Sequence, residues 1–171
     1  MVELLVTAVA LILALSAFLR SIVGEMSETQ GDYETVIAAR AARAKIEQLI
    51  GEHHRRVFAR YNGSAADDPL GEGSAPGCDF AVEGLPVRED DVDGYAGRIV
   101  FPTPTPRSMS LSERAGGALE GCSRDLDLDG RVDSPDVSAN YQILPVTVRI
   151  EWEGPRGPRS YSLSTILGDR P

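Results

Sequence analysis

Residues 2–23, VELLVTAVALILALSAFLRSIV, decide the fold of this chain. Residues 4–19 carry no charge, and the charges that bound them are Glu3 and Arg20. As a helix, the stretch would be roughly 33 Å long, which is close to the hydrocarbon thickness of a bilayer. We therefore predict that residues 1–23 form a transmembrane helix, and that the rest of the chain is attached to it.

Three plainer explanations of this stretch stay open at the level of sequence. A cleaved signal peptide begins with basic residues before its apolar core, and this sequence has none before Arg20. A simple single-pass anchor has the same length, whereas a buried core helix is disfavoured by the length of the uncharged run. Glu3 favours a more specific role, because a carboxylate near the start of a membrane helix is costly and usually marks a defined partner.

Residues 24–61 predict an amphipathic continuation of the same helix into a head domain. Apolar residues recur mostly at three- and four-residue steps, and charged residues occupy much of the other side. The predicted apolar stripe comprises Val36, Ala39, Ala42, Ile46, Leu49, Ile50, Val57 and Tyr61, and the polar side includes Glu34, Arg40, Glu47, Arg55 and Arg56. Gly24 and Gly31 weaken the helix, and the run Asn62-Gly63-Ser64 ends it.

The remaining residues, 62–171, predict a small acidic head. The whole net charge of −9 falls in this part, because residues 1–61 contain equal numbers of acidic and basic side chains. An acidic head disfavours nucleic acid and anionic lipid as partners. The sequence lacks the common catalytic signatures, among them the P-loop, G-x-S-x-G and H-E-x-x-H, so we do not expect an enzyme.

A β-hairpin near the C-terminus is the clearest strand signal in the head. Residues 146–152 alternate apolar and polar side chains, which places on one face Val146, Val148, Ile150 and Trp152. A turn and a returning strand at 160–167 follow. Shorter strands are predicted at 80–82 and 98–101, before a proline-rich segment that excludes a central strand. The predicted fold class is α+β, with the long helix packed on a small antiparallel sheet.

Residues 125–136, DLDLDGRVDSPD, fit the twelve-residue calcium loop of the EF-hand. The oxygen ligands in this pattern are the side chains of Asp125, Asp127, Asp129, Asp133 and Asp136 and the backbone carbonyl of Arg131. Calcium takes roughly six to eight oxygens, and alternate residues of a tightly curled loop point inward. Gly130 permits the sharp turn, and Val132 is expected to pin the loop to the core. We predict a structural calcium ion; an Asp-rich turn that holds no ion tightly is the alternative.

The last loop position, Asp136, replaces the usual glutamate and resembles the dockerin variant of the loop, which ends in aspartate and keeps only the exit helix. Dockerins carry two such loops and bind cohesins, whereas this sequence contains one, so we do not expect a cohesin partner. Residues 134–139 predict the start of a short exit helix.

Two cysteines, Cys78 and Cys122, lie in the head. If the head is outside the cytosol, an even pair of cysteines predicts a disulfide. Such a bond would close a loop of about 45 residues and stabilise the fold by roughly 4 kcal/mol. Two unrelated buried thiols are the alternative.

The N-terminal residues 2–6, VELLV, followed by an uninterrupted aliphatic helix, resemble the start of type IV pilins and type II secretion pseudopilins. In that family the glutamate corresponding to Glu3 pairs with the N-terminal amine of a neighbouring subunit during assembly. Residues 38–50, AARAARAKIEQLI, and the C-terminal hairpin also resemble stretches of minor pilins. The glycine and the Phe-Thr that precede the aliphatic residues in the family are not present in this sequence.

The resemblance implies a pilin-like fold and a structural subunit, a minor pilin or pseudopilin, of a type IV pilus or type II secretion-type fibre. Its partners would be other pilin or pseudopilin subunits, contacted through the N-terminal helix, and the bacterial inner membrane. The head would lie outside the cytoplasm, on a single-pass subunit in the membrane or in a surface or periplasmic fibre. The alternative is a single-pass, membrane-anchored, extracytoplasmic calcium-binding or interaction protein with no fibre role.

Overall fold

The computed structural model describes residues 2–105, 107–115 and 123–168. The helices and strands of these residues are α1 Val2–Gly51, α2 His54–Tyr61, β1 Asp79–Phe80, β2 Gly97–Val100, β3 Ile143–Gly154 and β4 Gly157–Gly168. One long N-terminal helix therefore carries a four-stranded antiparallel sheet, and the α+β class predicted from the sequence is confirmed.

Helix α1 runs unbroken through Gly24 and Gly31, so the two predicted weak points do not interrupt it. Its 50 residues span about 75 Å. The break falls instead after Gly51, and α2 begins at His54. Glycine is a poor helix former, and the change of direction here buries one face of α2, made of His54, Val57, Phe58 and Tyr61.

The two halves of α1 have opposite surroundings. Among the side chains that the structure describes in the apolar N-terminal stretch, none is buried. The second half packs against the sheet through Gly31, Glu34, Ala38, Ala42, Ile46 and Leu49. The predicted apolar stripe is partly wrong, because Val36 is 46% exposed and Ile50 is 36% exposed. The buried face is rotated towards Glu34, which the sequence pattern assigned to the polar side.

The sheet has the order β1-β2-β3-β4, and each neighbouring pair is antiparallel. The predicted hairpin is confirmed as β3 and β4, which pair from Ile143 opposite Gly168 to Gly154 opposite Gly157. The side chains predicted for one face of β3 are all buried: Val146, Val148, Ile150 and Trp152. The two short predicted strands appear as β1 and β2 with bounds shifted by one or two residues.

Strand β4 runs alongside α1 in the same direction. At the hairpin tip, the Arg156 guanidinium lies 3.3 Å from Glu28 Oε1 and donates to the Gly24 carbonyl at 3.2 Å. One turn or two further along the helix, Trp152 Nε1 donates to Glu34 Oε2 at 3.0 Å, and this bond explains how a carboxylate is accommodated in the buried face. At the far end, Leu49 and the last residues of β4 line one cavity.

Candidate functional site

The predicted calcium loop, residues 125–136, is an irregular segment whose first aspartate organises the turn. Asp125 accepts hydrogen bonds from the N–H groups of Asp129, at 3.2 Å, and Gly130, at 2.8 Å. Leu128 and Gly130 have φ angles of 59° and 86°, which place both in the left-handed region. Two left-handed residues so close together curl the backbone tightly, and Gly130 is the residue that does so without steric cost.

Three carboxylates converge at the start of this loop. Ligand oxygens of Glu113, Asp125 and Asp127 all lie within 4.8 Å of one another. Glu113 is buried and the two aspartates are half-buried. Among the described residues, this group could hold a metal ion, and it contains two of the predicted ligands together with one that was not predicted.

Glu113 joins the two ends of the loop. Its Oε1 accepts the Leu126 N–H at 2.9 Å, and its Oε2 accepts the N–H groups of Asp133, at 3.0 Å, and Ser134, at 2.9 Å. Burial acts to raise the pKa of this carboxyl, but the three backbone N–H groups outweigh it and hold the pKa below its usual value. Glu113 is therefore an anion at neutral pH, although its side chain is 1% exposed.

The remaining predicted ligands lie outside this cluster. Asp129 is exposed and its Oδ1 accepts the N–H of Arg131, the residue whose carbonyl is the predicted backbone ligand. Asp133 is also exposed, and it contacts the cluster only through its backbone N–H, which donates a hydrogen bond to Glu113. Asp136 is exposed, and its Oδ1 accepts N–H groups at 3.2 and 3.0 Å from residues 111 and 138. Burial acts to raise the pKa of Asp136, but these hydrogen bonds dominate and lower it.

The contact between the loop and the core also differs from the prediction. Val132, expected to pin the loop, is 40% exposed, whereas Leu126 is 1% exposed and belongs to the core. The predicted exit helix is a single turn, in which the N–H groups of Asn140 and Tyr141 both bond to the Val137 carbonyl. The loop is therefore held to the head by Leu126 and Glu113.

The chemistry of the cluster suits a hard cation. All the converging ligand atoms are carboxylate oxygens, which calcium and magnesium prefer, while zinc favours nitrogen and sulfur. A carboxylate offers about four lone-pair positions, and three of those on Glu113 accept backbone N–H groups. Glu113 therefore keeps about one lone-pair position for a metal ion. Asp125 and Asp127 would supply the other carboxylate ligands from the open side of the cluster.

Other predicted site residues are far from this cluster in the chain. Glu3 is exposed in the first turn of α1, a helix long and apolar enough to cross a membrane. Cys78 is buried, and burial raises the pKa of its thiol. Its predicted disulfide partner, Cys122, lies outside the described residues, so the disulfide stays a prediction.

No protein-family model, curated protein or solved structure matches this chain. The resemblance to pilins and pseudopilins therefore stays a prediction that depends on residues 2–6, 38–50 and the hairpin. We infer the function from α1 and from the acidic cluster.

Proposed function

We propose that this chain is a structural subunit of a type IV pilus or a type II secretion-type fibre, similar to a minor pilin or pseudopilin. The observation that carries the proposal is the division of one continuous helix into two environments. The N-terminal half of α1 presents apolar side chains on every side, while its second half is built into the head. A fibre whose core is made of such helices would cover the first half and leave the acidic head outside.

The exposed N-terminal half needs an apolar environment. Its large exposed side chains include Val2, Leu4, Val6, Val9, Leu11, Ile12, Leu13, Leu15, Phe18, Leu19 and Val23. Burying a side chain of this size contributes about 1.5–3 kcal/mol, so leaving this many in water would be very costly. A bilayer and the core of a helical fibre would both remove this cost. A fibre subunit would lie in the bilayer before assembly and in the fibre core after it.

Glu3 distinguishes a fibre subunit from an anchor. In the fibre, its carboxylate would pair with a cation of a neighbouring subunit in an apolar surrounding, where such pairs set the register. In a simple anchor the same carboxylate only opposes insertion. The two functions therefore predict opposite effects for removal of the charge.

The test is Glu3→Ala in the cells that produce the protein. We expect the variant to insert into the membrane at least as well as the wild type and to be lost from fibres recovered by shearing and centrifugation. Glu25→Ala is the matched control, because Glu25 is also an exposed glutamate of α1 but follows the apolar stretch. Normal incorporation of Glu3→Ala, or the absence of this chain from any recovered fibre, would contradict the proposal.

We also propose that the ion of the acidic cluster is calcium, in a structural role. The support is the all-oxygen donor set, the tight turn at Leu128 and Gly130, and the deprotonated Glu113 beneath the loop. This feature also favours the second candidate function, in which the head is a calcium-dependent interaction domain on a membrane anchor. The two candidates differ in whether Glu3 is needed.

The calcium proposal is tested by thermal unfolding of the full chain in detergent, with EDTA, calcium or magnesium. We expect calcium to raise the unfolding midpoint more than magnesium, and Asp125→Asn to reduce the rise. Glu89→Gln is the control, because Glu89 is an exposed acid in a different loop. An unchanged midpoint with millimolar calcium would leave the loop as an Asp-rich turn.

A further inference from the structure

A polar cavity lies between α1 and the tip of the β3–β4 hairpin. Its volume is about 350 Å³, within the range of about 300–1,000 Å³ that small-ligand sites occupy. One wall is the α1 segment 27–32, and the other is the hairpin segment 155–159. Because β4 runs in the same direction as α1, this tip is the part of the hairpin nearest to the apolar stretch, residues 2–23.

The cavity begins close to the end of the apolar stretch. Arg156, at its rim, donates a hydrogen bond to the carbonyl of Gly24, one residue beyond Val23. Ser27 and Asp32 bound the helical wall, so the cavity extends from about 6 to about 14 Å beyond Val23 at 1.5 Å per residue. The headgroup layer of a bilayer is about 5–8 Å thick on each side. The rim of the cavity therefore lies at headgroup level when the apolar stretch spans the hydrocarbon core, and this step depends on the membrane insertion proposed above.

Arg159 supplies the cavity with a guanidinium that has no carboxylate partner. Its side chain is half-buried, lies 5.8 Å from the centre of the Trp152 ring and contacts α1 at Gly31. A Cβ at position 31 would collide with its Nη1 atom, so glycine, a poor helix former, leaves the room that the guanidinium occupies. Among the described residues, Arg159 has no ion pair and no hydrogen bond. An arginine placed in this way can bind an oxyanion.

The helical wall of the same cavity carries two carboxylates, Glu28 and Asp32, one turn apart. Glu28 forms an ion pair with Arg156 at 3.3 Å. Asp32 is exposed and, within the described chain, forms neither an ion pair nor a hydrogen bond. Arg159 and Asp32 therefore line one cavity without pairing with each other. The lining holds two basic and two acidic side chains, and its unpaired groups are one cation and one anion.

We propose that this cavity binds the headgroup of a phosphoethanolamine lipid from the bilayer in which α1 is inserted. The lipid phosphate would accept hydrogen bonds from Arg159, whose planar set of donors suits a phosphate. The headgroup ammonium, with three N–H donors, would bond to Asp32. The ion pair of Arg156 and Glu28 would stay in place and form the rim of the site on the membrane side.

Other headgroups fit these walls less well. A phosphocholine carries a trimethylammonium group, which has no N–H to donate and which proteins bind with aromatic side chains. None of the described residues that line the cavity is aromatic. A headgroup of net negative charge would leave Asp32 without a cation, in a chain whose net charge is −9. Soluble phosphoethanolamine has the same chemistry as the lipid headgroup, and the test separates the two.

The test is native mass spectrometry of the full chain in detergent, titrated with phosphatidylethanolamine, phosphatidylcholine or phosphatidylglycerol of identical acyl chains. We expect the first lipid to bind about tenfold more tightly than either of the others. Arg159→Gln should weaken its binding about tenfold, and Asp32→Asn should remove the preference for ethanolamine over choline. Arg40→Gln is the matched charge control, because Arg40 is an exposed arginine of α1 that does not line the cavity, and it should bind like the wild type.

Gly31→Ala tests the geometry of the site, because it keeps every charged group of the cavity. The added Cβ meets only the end of the flexible Arg159 side chain, so the guanidinium should be displaced while the fold is kept. We expect about a tenfold loss of phosphatidylethanolamine affinity with no fall in the thermal unfolding midpoint. Gly51→Ala, at the other end of α1, places a Cβ with no atom within 4 Å and should bind like the wild type.

Three results would overturn the proposal. One is equal affinity for the three lipids, and another is unchanged binding in a folded Gly31→Ala or Arg159→Gln variant, with folding reported by the fluorescence of the buried Trp152. The third is soluble O-phosphoethanolamine that binds as tightly as the lipid, because the ligand would then be a free small molecule. Failure of Glu3→Ala to impair fibre assembly leaves this test unchanged, since no fibre is involved. A full chain that does not insert into bilayers would refute both proposals.

Discussion

Replacement of Glu113 by alanine should destabilise the head more than replacement of any aspartate of the predicted calcium loop. The variant Glu113→Ala leaves three backbone N–H groups without their acceptor. A buried N–H without a partner costs about 1–3 kcal/mol, and the cost falls where water can replace the lost bond. Leu126 is buried whereas Asp133 is exposed, so we assign about 2 kcal/mol to the first N–H and about 0.5–1 kcal/mol to each of the others, a total of about 3–4 kcal/mol.

The measurement is denaturant unfolding of the full chain in detergent, followed by the fluorescence of Trp152, the single tryptophan. Glu113→Gln keeps one oxygen acceptor and should lose about half as much stability, while Glu89→Ala, at an exposed position, should change it by less than about 0.5 kcal/mol. A loss below about 1 kcal/mol for Glu113→Ala would refute the role of this side chain as the link between the two ends of the loop.

The same carboxylate predicts a direction of pH dependence. The pKa of Glu113 in the folded chain lies below its ordinary value of 4.5. Its contribution to stability is therefore fully present above about pH 4.5 and is lost as the pH falls through the lower folded-state pKa. We expect the acid-side slope of the unfolding free energy to be shallower in Glu113→Gln than in the wild type.

Three further predictions concern the sheet and its contact with the helices. Gly97→Ala places a Cβ 2.4 Å from ring atoms of Phe80, and should cost about 1–3 kcal/mol in denaturant unfolding. Burial raises the pKa of Tyr141 to about 12, so stability should fall between about pH 10 and pH 12, by at most about 3 kcal/mol, and Tyr141→Phe should flatten this slope. Glu34→Ala removes the acceptor of Trp152 Nε1 and should cost about 1–3 kcal/mol, with a shift in the tryptophan emission maximum.

Each of these predictions has a control at an open or exposed position. Gly168→Ala meets no atom within 4 Å and should leave the midpoint nearly unchanged, so equal losses at Gly97 and Gly168 would contradict the steric explanation. Tyr95→Phe, at a tyrosine that is 47% exposed, should keep the alkaline slope. Glu47→Ala, on the exposed side of α1, should leave the tryptophan emission where it is, and a shift there would argue against a specific bond to Glu34.

The long helix and the hairpin could be predicted because each has a strong local periodicity. The uncharged residues 4–19 and the alternating residues 146–152 correspond to the first half of α1 and to β3 in the structure. The buried face of α1 was predicted less well, because a charge pattern places Glu34 in solvent. In the folded chain its carboxylate accepts hydrogen bonds from the distant Trp152 Nε1 and from Gln30 Nε2, and these make its burial possible.

The acidic cluster also depends on contacts between residues that are distant in the sequence, so the sequence pattern predicted only part of it. Asp125 and Asp127 follow from the spacing of the loop, but Glu113 belongs to no motif and lies about twelve positions before the loop in the sequence. Its role depends on three backbone N–H groups that only the folded chain brings to it. Leu126 was also not predicted to be a core residue, because the EF-hand pattern assigns the core contact to the aliphatic residue Val132, which is 40% exposed.

The parallel course of β4 and α1 has a mechanical consequence. A pull along the axis of the N-terminal half of α1 loads the contact between helix and hairpin in shear. The ion pair at Glu28, the hydrogen bond at Glu34 and the apolar core contacts of α1 as far as Leu49 then bear the load together. Contacts loaded in shear must break at the same time, whereas contacts that are peeled apart break one after another. This head should therefore resist a pull along the helix axis far better than a sideways pull at Gly168.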